Sequence, residues 1–495
     1  MVSTFEVIDN KLNLNLIDNT PHNIPLPSLP DADYQEQLAL LQRLGQSSLK
    51  QLQEQGVFIF PPISSADEQQ DDLLLADDYE RGIHANNRVF PLCSLNEASE
   101  ANSARTISLQ TGNLVGFIGG KGLNISIRSR FAYENQGDFF LHYLMQRNMR
   151  LNAIDLPVAV SDSDAILNFL VLLFPSYLER ALRQGVFKQY QNFYYNDSKL
   201  KGTIDVARHL KCNLPFQGNI AYHTREFSFD NPVTQLIRHT IEVIRSNPEF
   251  SKLLELNDEV IADVRQIEEV TPSYERSELV AVVNANIRPV SHPLLTEYRP
   301  LQQLCLKILR QEDEGLRFNA DSEPVYGVLF DIAYLWEEYL ALLLEPLGFE
   351  HPSNVANQGW PVANLDGKDV MRFCPDFVFP ATNKEKHPTS SLVADAKYTR
   401  YETKRFDDRT KHHVLQMMHY MYALKAPRSV LLSPTQIGVP EKWHFELYGY
   451  GGTIGVEYLR LPSLAQSYAV FCAAMQQAES DFVETIKSYC DAASD

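Results

Sequence analysis

The sequence predicts an α+β protein of several domains, and three observations predict it. Its 495 residues are more than one core usually organises, so two or three domains are expected. Apolar residues alternate at Leu12, Leu14 and Leu16 and again at Leu123, Ile125 and Ile127, the period of half-buried strands. Within Ala165–Arg183, Thr234–Arg245 and Leu301–Leu309 they recur at three and four, the period of helices. The expected division is a mixed N-terminal region with a β-hairpin over 1–160, a mainly helical middle over 161–310, and a C-terminal α/β domain over 311–495.

Composition narrows the class. With 44% hydrophobic and 11% aromatic residues, global disorder is excluded. Six cysteines are scattered without a Cys-x-x-Cys pair, which argues against a zinc ribbon or a disulfide framework and fits a reducing cytoplasm. The polar N-terminus does not read as a signal peptide. The most apolar run, Ala165–Phe174, is too short to span a bilayer and ends before Pro175, so no membrane is expected. Forty-four basic residues against 63 acidic ones leave a net charge of -19, which repels nucleic acid. Either a local basic channel or another subunit must hold any nucleic acid; the second is favoured.

In chain order, Tyr34–Gln55 carries a helical leucine stripe (Leu38, Leu41, Leu44, Leu49, Leu52) suited to its own core. Val57–Phe60 reads as a strand before Pro61-Pro62, and Ser64–Asp78 as an exposed acidic loop. Leu114–Ile118 and Leu123–Arg128 form a hairpin about Gly119-Gly120-Lys121-Gly122, with Lys121 an exposed turn residue. This is no phosphate loop: Val115 stands at the first glycine, Gly122 at the hydroxyl residue, and a strand follows. Arg128, Arg130, Arg147, Arg150, Arg180 and Arg183 read as solvated faces ahead of a nucleic-acid groove.

In the last third, Ile332, Leu335, Trp336, Tyr339 and Leu343 mark the buried stripe of a helix, and Glu337 and Glu338 flank it on opposite sides, so periodicity does not choose between them. Pro361–Leu365 and Val370–Phe379 read as a hairpin turned at Asp366-Gly367. Asp376 lies in the second of these strands. A further short strand, Ser391–Tyr398, puts Asp395 and Lys397 on one face. If the two strands are neighbours, two carboxylates and one ammonium meet. Such oxygen donors suit Mg²⁺, with Mn²⁺ as the alternative, and the lysine suits an attacking water or a charged phosphate. The outline is that of a phosphodiesterase site. The acid-x-Lys pattern also occurs at Asp9-Asn10-Lys11, Asp197-Ser198-Lys199, Asp366-Gly367-Lys368 and Glu402-Thr403-Lys404; only Asp395 has an apolar strand before it and a helix after it. That helix, Thr410–Leu424, puts Gln416 and Tyr420 on one face. His412, His413 and His419 on it read as polar surface, their spacing fitting no closed zinc site. Strands at Trp443–Tyr448 and Gly455–Leu459 and a helix from Leu464 complete the domain.

Pro375-Asp376, Asp395-Ala396-Lys397 and Gln416 with Tyr420 resemble the PD-(D/E)xK nuclease pattern. Leu329–Tyr339 is similar to the helix that precedes this core in McrC, the nuclease subunit of the McrBC modification-dependent restriction system. Leu200–Ala207 and Arg225–Pro232 also look McrC-like, so the resemblance covers roughly residues 111–425. It implies a restriction-endonuclease-like α/β/α domain cutting DNA with Mg²⁺, in which Asp376 and Asp395 hold the metal, the Ala396 carbonyl adds a ligand, Lys397 serves the water or the developing charge, and Gln416 supports them. It favours Glu337 over Glu338 as an extra metal-shell acid. It implies an McrB-like AAA+ GTPase ring as partner, which reads modified cytosine and is met by residues 1–160. A non-catalytic activator of a ring NTPase, or a nuclease of another defence system acting on RNA or unmodified phage DNA, stands as the competing reading.

Overall fold

The computed structural model describes residues 4–8, 11–25, 32–61, 88–96, 106–120, 122–133, 138–148, 163–248, 250–255, 257–312, 325–352, 360–366, 368–379, 389–401, 406–436, 438, 440–449 and 451–494. Lys121, Arg150, the acidic stretch 64–78 and all or part of the tripeptides at 9–11 and 402–404 lie outside them. The chain divides into two compact units, one made of Met1–Ser161 with Ala320–Asp495 and the other of Asp162–Asn319.

The N-terminal part of the first unit holds β1 (Thr4–Ile8), β2 (Lys11–Ile17), β3 (Pro21–Pro25), α1 (Ala32–Gln46), α2 (Leu49–Glu54), β4 (Phe58–Phe60), β5 (Leu92–Asn96), β6 (Thr106–Gln110), β7 (Leu114–Gly120), β8 (Leu123–Arg128) and α3 (Phe139–Asn148). The second unit holds α4 (Ser163–Arg183), β9 (Gln189–Asp197), β10 (Thr203–Ile204), α5 (Val206–Cys212), β11 (Ile220–Ser228), α6 (Pro232–Ser246), α7 (Asp258–Val270), α8 (Leu279–Ala285) and α9 (Tyr298–Glu312). The chain returns to the first unit with β12 (Tyr326–Asp331), α10 (Ile332–Leu344), β13 (Trp360–Leu365), β14 (Lys368–Phe373), β15 (Phe377–Phe379), β16 (Leu392–Ala396), α11 (Asp408–Leu424), β17 (Arg428–Thr435), β18 (His444–Glu446), β19 (Thr453–Arg460) and α12 (Tyr468–Ser494). It is a mixed α/β protein.

In the first unit a six-stranded sheet runs β1-β2-β8-β7-β12-β4. The expected alternation holds: Leu12, Leu14, Leu16, Leu123, Ile125 and Ile127 are buried together with the leucines of α1 and α2. The helix expected over Tyr34–Gln55 is two helices. Ser48 restarts it, accepting from the Gln51 N–H while the Gln51 side chain accepts from the Ser48 N–H. The hairpin forms as read, with Ile118 opposite Ile125. Leu329 and Phe330, read as helical, lie in β12, antiparallel to β7 and parallel to β4; the helix starts at Ile332 because Asp331 caps it, accepting from Ala333 and Tyr334.

The second unit corrects the helical reading of the middle. Helices α4, α6 and α9 fall where the spacing puts them, but a three-stranded sheet, β10-β11-β9, stands between α4 and α6. Its nine-residue ladder pairs Gln189–Asp197 with Ile220–Ser228. Of the arginines, Arg147 and Arg183 are exposed as read, while Arg130 is not on a solvated face. Arg130 is buried against Asp18; Arg128 donates to the Tyr133 carbonyl, and Arg147, Arg180 and Arg183 pair with Glu479, Glu297 and Glu179.

The site lies on a five-stranded sheet, β15-β16-β17-β19-β18, in which β16, β17 and β19 are parallel. Parallel neighbours need a crossover, and α11 supplies it between β16 and β17. One face (Val393, Leu431, Ile454, Val456) packs on Met417, Tyr420, Met421 and Leu424 of α11. The other face carries Leu392, Ala394, Val430 and Leu432, also fully buried, and meets α12 where Tyr489 donates to Glu457. Trp336 of α10 donates to the Leu432 carbonyl at 3.2 Å. With both faces covered the sheet reads as apolar runs, as parallel strands should. His413, expected on polar surface, is buried in this layer and hydrogen-bonded to the Tyr401 hydroxyl. No helix among the described residues is long and apolar enough to cross a membrane.

Candidate active site

The strand expected over Val370–Phe379 is interrupted. Lys368–Phe373 belongs to the β13–β14 hairpin, and Phe377–Phe379 joins a different sheet. Pro375, with no N–H to give a ladder, stands at the break. Phe377 lies opposite Ala394, so Asp376, one residue earlier, faces the end of β16. There the Ala396 N–H donates to Asp376 Oδ2 at 2.7 Å. Asp395 is 1% exposed and shares the α11 face with Val393. Lys397 follows two residues on, its N–H held by the Leu432 carbonyl at 2.8 Å and its Nζ 2.9 Å from Asp395 Oδ2. Asp376, Asp395 and Lys397 are thus brought together.

Glu337 and Glu338 both approach His351 and differ in exposure. Glu338 is 40% exposed at its side chain, Glu337 25%. Burial first, then Glu338 and Asp395, push the Glu337 carboxyl up to about 7, against the opposing pull of His351 and Lys397. Asp376 is raised well above the carboxylate range by burial, then Asp395 and Glu337, although Lys397 and the Ala396 N–H oppose. Glu337 therefore belongs electrostatically with Asp376 and Asp395.

From α11, the Gln416 side-chain amide donates to the Tyr420 hydroxyl at 2.9 Å, and that hydroxyl donates to the Cys374 carbonyl at 3.4 Å. Burial and then the two aspartates hold the Tyr420 hydroxyl well above its ordinary range, so it stays a donor. Gln416 thus reaches the Pro375-Asp376 segment through Tyr420. Cys374 is pushed up to about 12 by burial and the adjoining carboxylates, which keeps it a neutral thiol and no nucleophile.

His351 is the neighbour that sequence reasoning missed. Its Nδ1 hydrogen-bonds the Asp376 carbonyl at 2.7 Å, its ring stacks on Phe377, and its Nε2 lies 3.8 Å from Glu337 and 3.7 Å from Glu338. The two carboxylates and the Asp376 carbonyl raise its pKa to about 9 against the opposing effect of burial, so it is an imidazolium at neutral pH. A lone histidine before Pro352 carries no period or motif that would have found it. Conversely, Asp366 stands at the hairpin turn, exposed, with a left-handed φ of 50°.

The donor chemistry fits a hard divalent cation: carboxylate oxygens on two strand ends and one helix, crowded enough to raise Asp376 and Glu337. Among the described residues no three His, Cys, Asp or Glu side chains are gathered into a ready-made ligand set. Instead Lys397 and the Ala396 N–H occupy an oxygen of each aspartate. Charge crowding, with internal partners standing in for a cation, describes the site as it is.

The family described as McrBC 5-methylcytosine restriction system component matches residues 109–434. Two solved structures are similar. One is a half-complex from a tetradecameric assembly of Thermococcus gammatolerans McrB AAA+ hexamers with bound McrC, at 15% identity over 94% of this chain and 99% of that one, with a TM-score of 0.42. The other is the Thermococcus gammatolerans McrBC complex, at 11% identity over 82% and 99%, with a TM-score of 0.26. At these scores neither bears on the fold. No curated protein matches the sequence. The family match spans most of the chain, and the chain belongs to that family.

Proposed function

Within the McrBC family, we propose that this chain is the nuclease component, hydrolysing DNA phosphodiester bonds with Mg²⁺, or Mn²⁺ in its place, on a PD-(D/E)xK domain. The observation that carries the reading is the meeting of Asp376 and Asp395 at adjoining strand ends, with Lys397 Nζ 2.9 Å from Asp395. Asp376, Asp395 and Glu337 would hold the cation with the Ala396 carbonyl. Bound there, it would polarise a phosphate oxygen and acidify a water. Lys397, freed from neutralising Asp395, would turn its ammonium to the attacking water or to charge growing on the phosphate. Gln416 and Tyr420 hold the Pro375-Asp376 segment from α11.

The partner we propose is an AAA+ GTPase ring, as in the Thermococcus complex of McrB hexamers with bound McrC. A net charge of -19 and the lack of a Gly-x-x-x-x-Gly-Lys-Ser/Thr loop in this sequence leave DNA capture and nucleotide hydrolysis to that partner. Docking is expected of residues 1–160, and a second surface, in the other unit, also has the apolar character for it. The β9–β11 ribbon exposes Tyr190, Tyr194 and Phe227, with Arg225, Arg208 and Lys188 over their rings. Aromatic and arginine side chains anchor interfaces.

Cleavage of 5-methylcytosine-containing DNA by the chain and its ring, in Mg²⁺ and GTP, tests the reading. Asp376→Asn should abolish cutting while GTP turnover of the ring persists; cutting at the wild-type rate would refute it. Replacing Tyr190 and Phe227 with Ser should lower the GTPase stimulation more than deleting β1 does.

A further inference from the structure

We propose that Arg130 is a positioning residue for the candidate site, acting through Tyr398 on the strand end that presents Lys397. The inference rests on the nuclease reading and adds to it a linkage from the N-terminal sheet. Asp18, at the exit of β2, is fully buried. Arg130 satisfies it with three donors: the main-chain N–H to Oδ1 at 2.5 Å, and Nε and Nη2 to Oδ2 at 3.0 and 2.7 Å. Held flat by this fork, the guanidinium lies over the Tyr398 ring at 4.5 Å. Phe131 closes the same ring edge-on at 5.5 Å.

The neighbouring main chain is clasped as well. The Arg130 carbonyl accepts from Arg400 Nη2 at 2.5 Å, and the Phe131 carbonyl accepts from Gln436 at 2.8 Å. Tyr398 directly follows Lys397, and Thr399 folds back to donate to the Lys397 carbonyl at 2.8 Å. The packing that fixes the Tyr398 ring thus bears on the residue directly after Lys397, in the segment from which Lys397 reaches Asp395. A buried ion pair adds little stability over apolar packing of the same volume. What this one supplies is geometry: a planar, doubly tethered cation that sets one ring in one place. Lysine keeps the charge and loses both the fork and the flat face.

Arg130→Lys in the full-length chain, assembled with its GTPase ring, is the test, read by nicking of supercoiled 5-methylcytosine-containing plasmid in GTP at saturating Mn²⁺ and by the pH profile of Lys397 acetylation with acetic anhydride, measured by peptide mass spectrometry. We expect a folded protein by circular dichroism, kcat lower by about 10- to 100-fold as for a slightly misplaced group, unchanged KM and Mn²⁺ affinity, and a shifted acetylation profile. Should that variant not fold, Tyr398→Leu keeps the Asp18–Arg130 pair and removes the ring, with the same expectation. Wild-type kcat and acetylation in a folded variant overturn the proposal. So does a loss in which KM rises and Mn²⁺ affinity and melting temperature fall together with kcat. Lys397→Ala separates the premises: if it still nicks, the nuclease reading fails, while the acetylation profile of Arg130→Lys still decides the linkage.

Discussion

Asp366-Gly367-Lys368 and Asp395-Ala396-Lys397 spell the same pattern and meet opposite fates. The first sits on a two-stranded hairpin, where Leu365 pairs with Lys368 and Asp366 takes a left-handed φ of 50° in solvent. The second ends a strand flanked by β15 and β17, with helices over both faces. An exposed carboxylate keeps its water and asks nothing of its neighbours. A buried one must be given a cation or a proton. Lys397 lies 2.9 Å from Asp395, and burial first, then the neighbouring carboxylates, raise Asp376 and Glu337. The difference is one of desolvation, which a tripeptide does not carry.

The contrast breaks most sharply at Asp395. Asp395→Ala should cut cleavage by about 100- to 1,000-fold, the usual cost of one preorganised group, with circular dichroism unchanged; near wild-type nicking would end the site assignment. Lys397→Ala should lose cleavage comparably while the partner's GTP turnover is still stimulated in full, and a parallel loss of stimulation would show that cutting and stimulation are not separable.

Glu337 gives a smaller, pH-dependent effect. Its carboxyl holds a proton in the folded chain up to about 7 rather than 4.5. Between those values the folded state binds more protons than the unfolded one, so stability falls as pH rises through that window. In metal-free buffer the melting temperature of Glu337→Gln should decline less between pH 5 and 7 than that of the wild type. Parallel slopes would contradict the assignment of that proton. The smallest effect belongs to the look-alike. Asp366→Ala should leave cleavage within experimental error and cost at most about 1–2 kcal/mol in urea melts for its left-handed backbone, and Asp366→Gly should cost less. A large activity loss from either would place the hairpin in the chemistry.

Local pattern was enough for much of this protein. Period two alone marked the faces of β2 and β8, and three-and-four spacing marked α4, α6, α9 and the buried stripe of α10. Adjacent residues also put Asp395 and Lys397 on one face and Gln416 near Tyr420, because those relations depend only on backbone geometry within a strand or a helix turn. What spacing does not encode is pairing between segments far apart in sequence. That β12 joins the N-terminal strands, that Arg130 is sealed under Asp18 beside Tyr398, and that His351 reaches Asp376, Glu337 and Glu338 are matters of contact across tens to hundreds of residues. The same holds for the crowding of Glu337 with Glu338, His351 and Asp395 and for the β9–β11 ribbon, whose aromatic rows pair strands more than twenty residues apart. Burial and electrostatic coupling are properties of the assembled layers, so tertiary structure decided which of several identical-looking acids came to share a site.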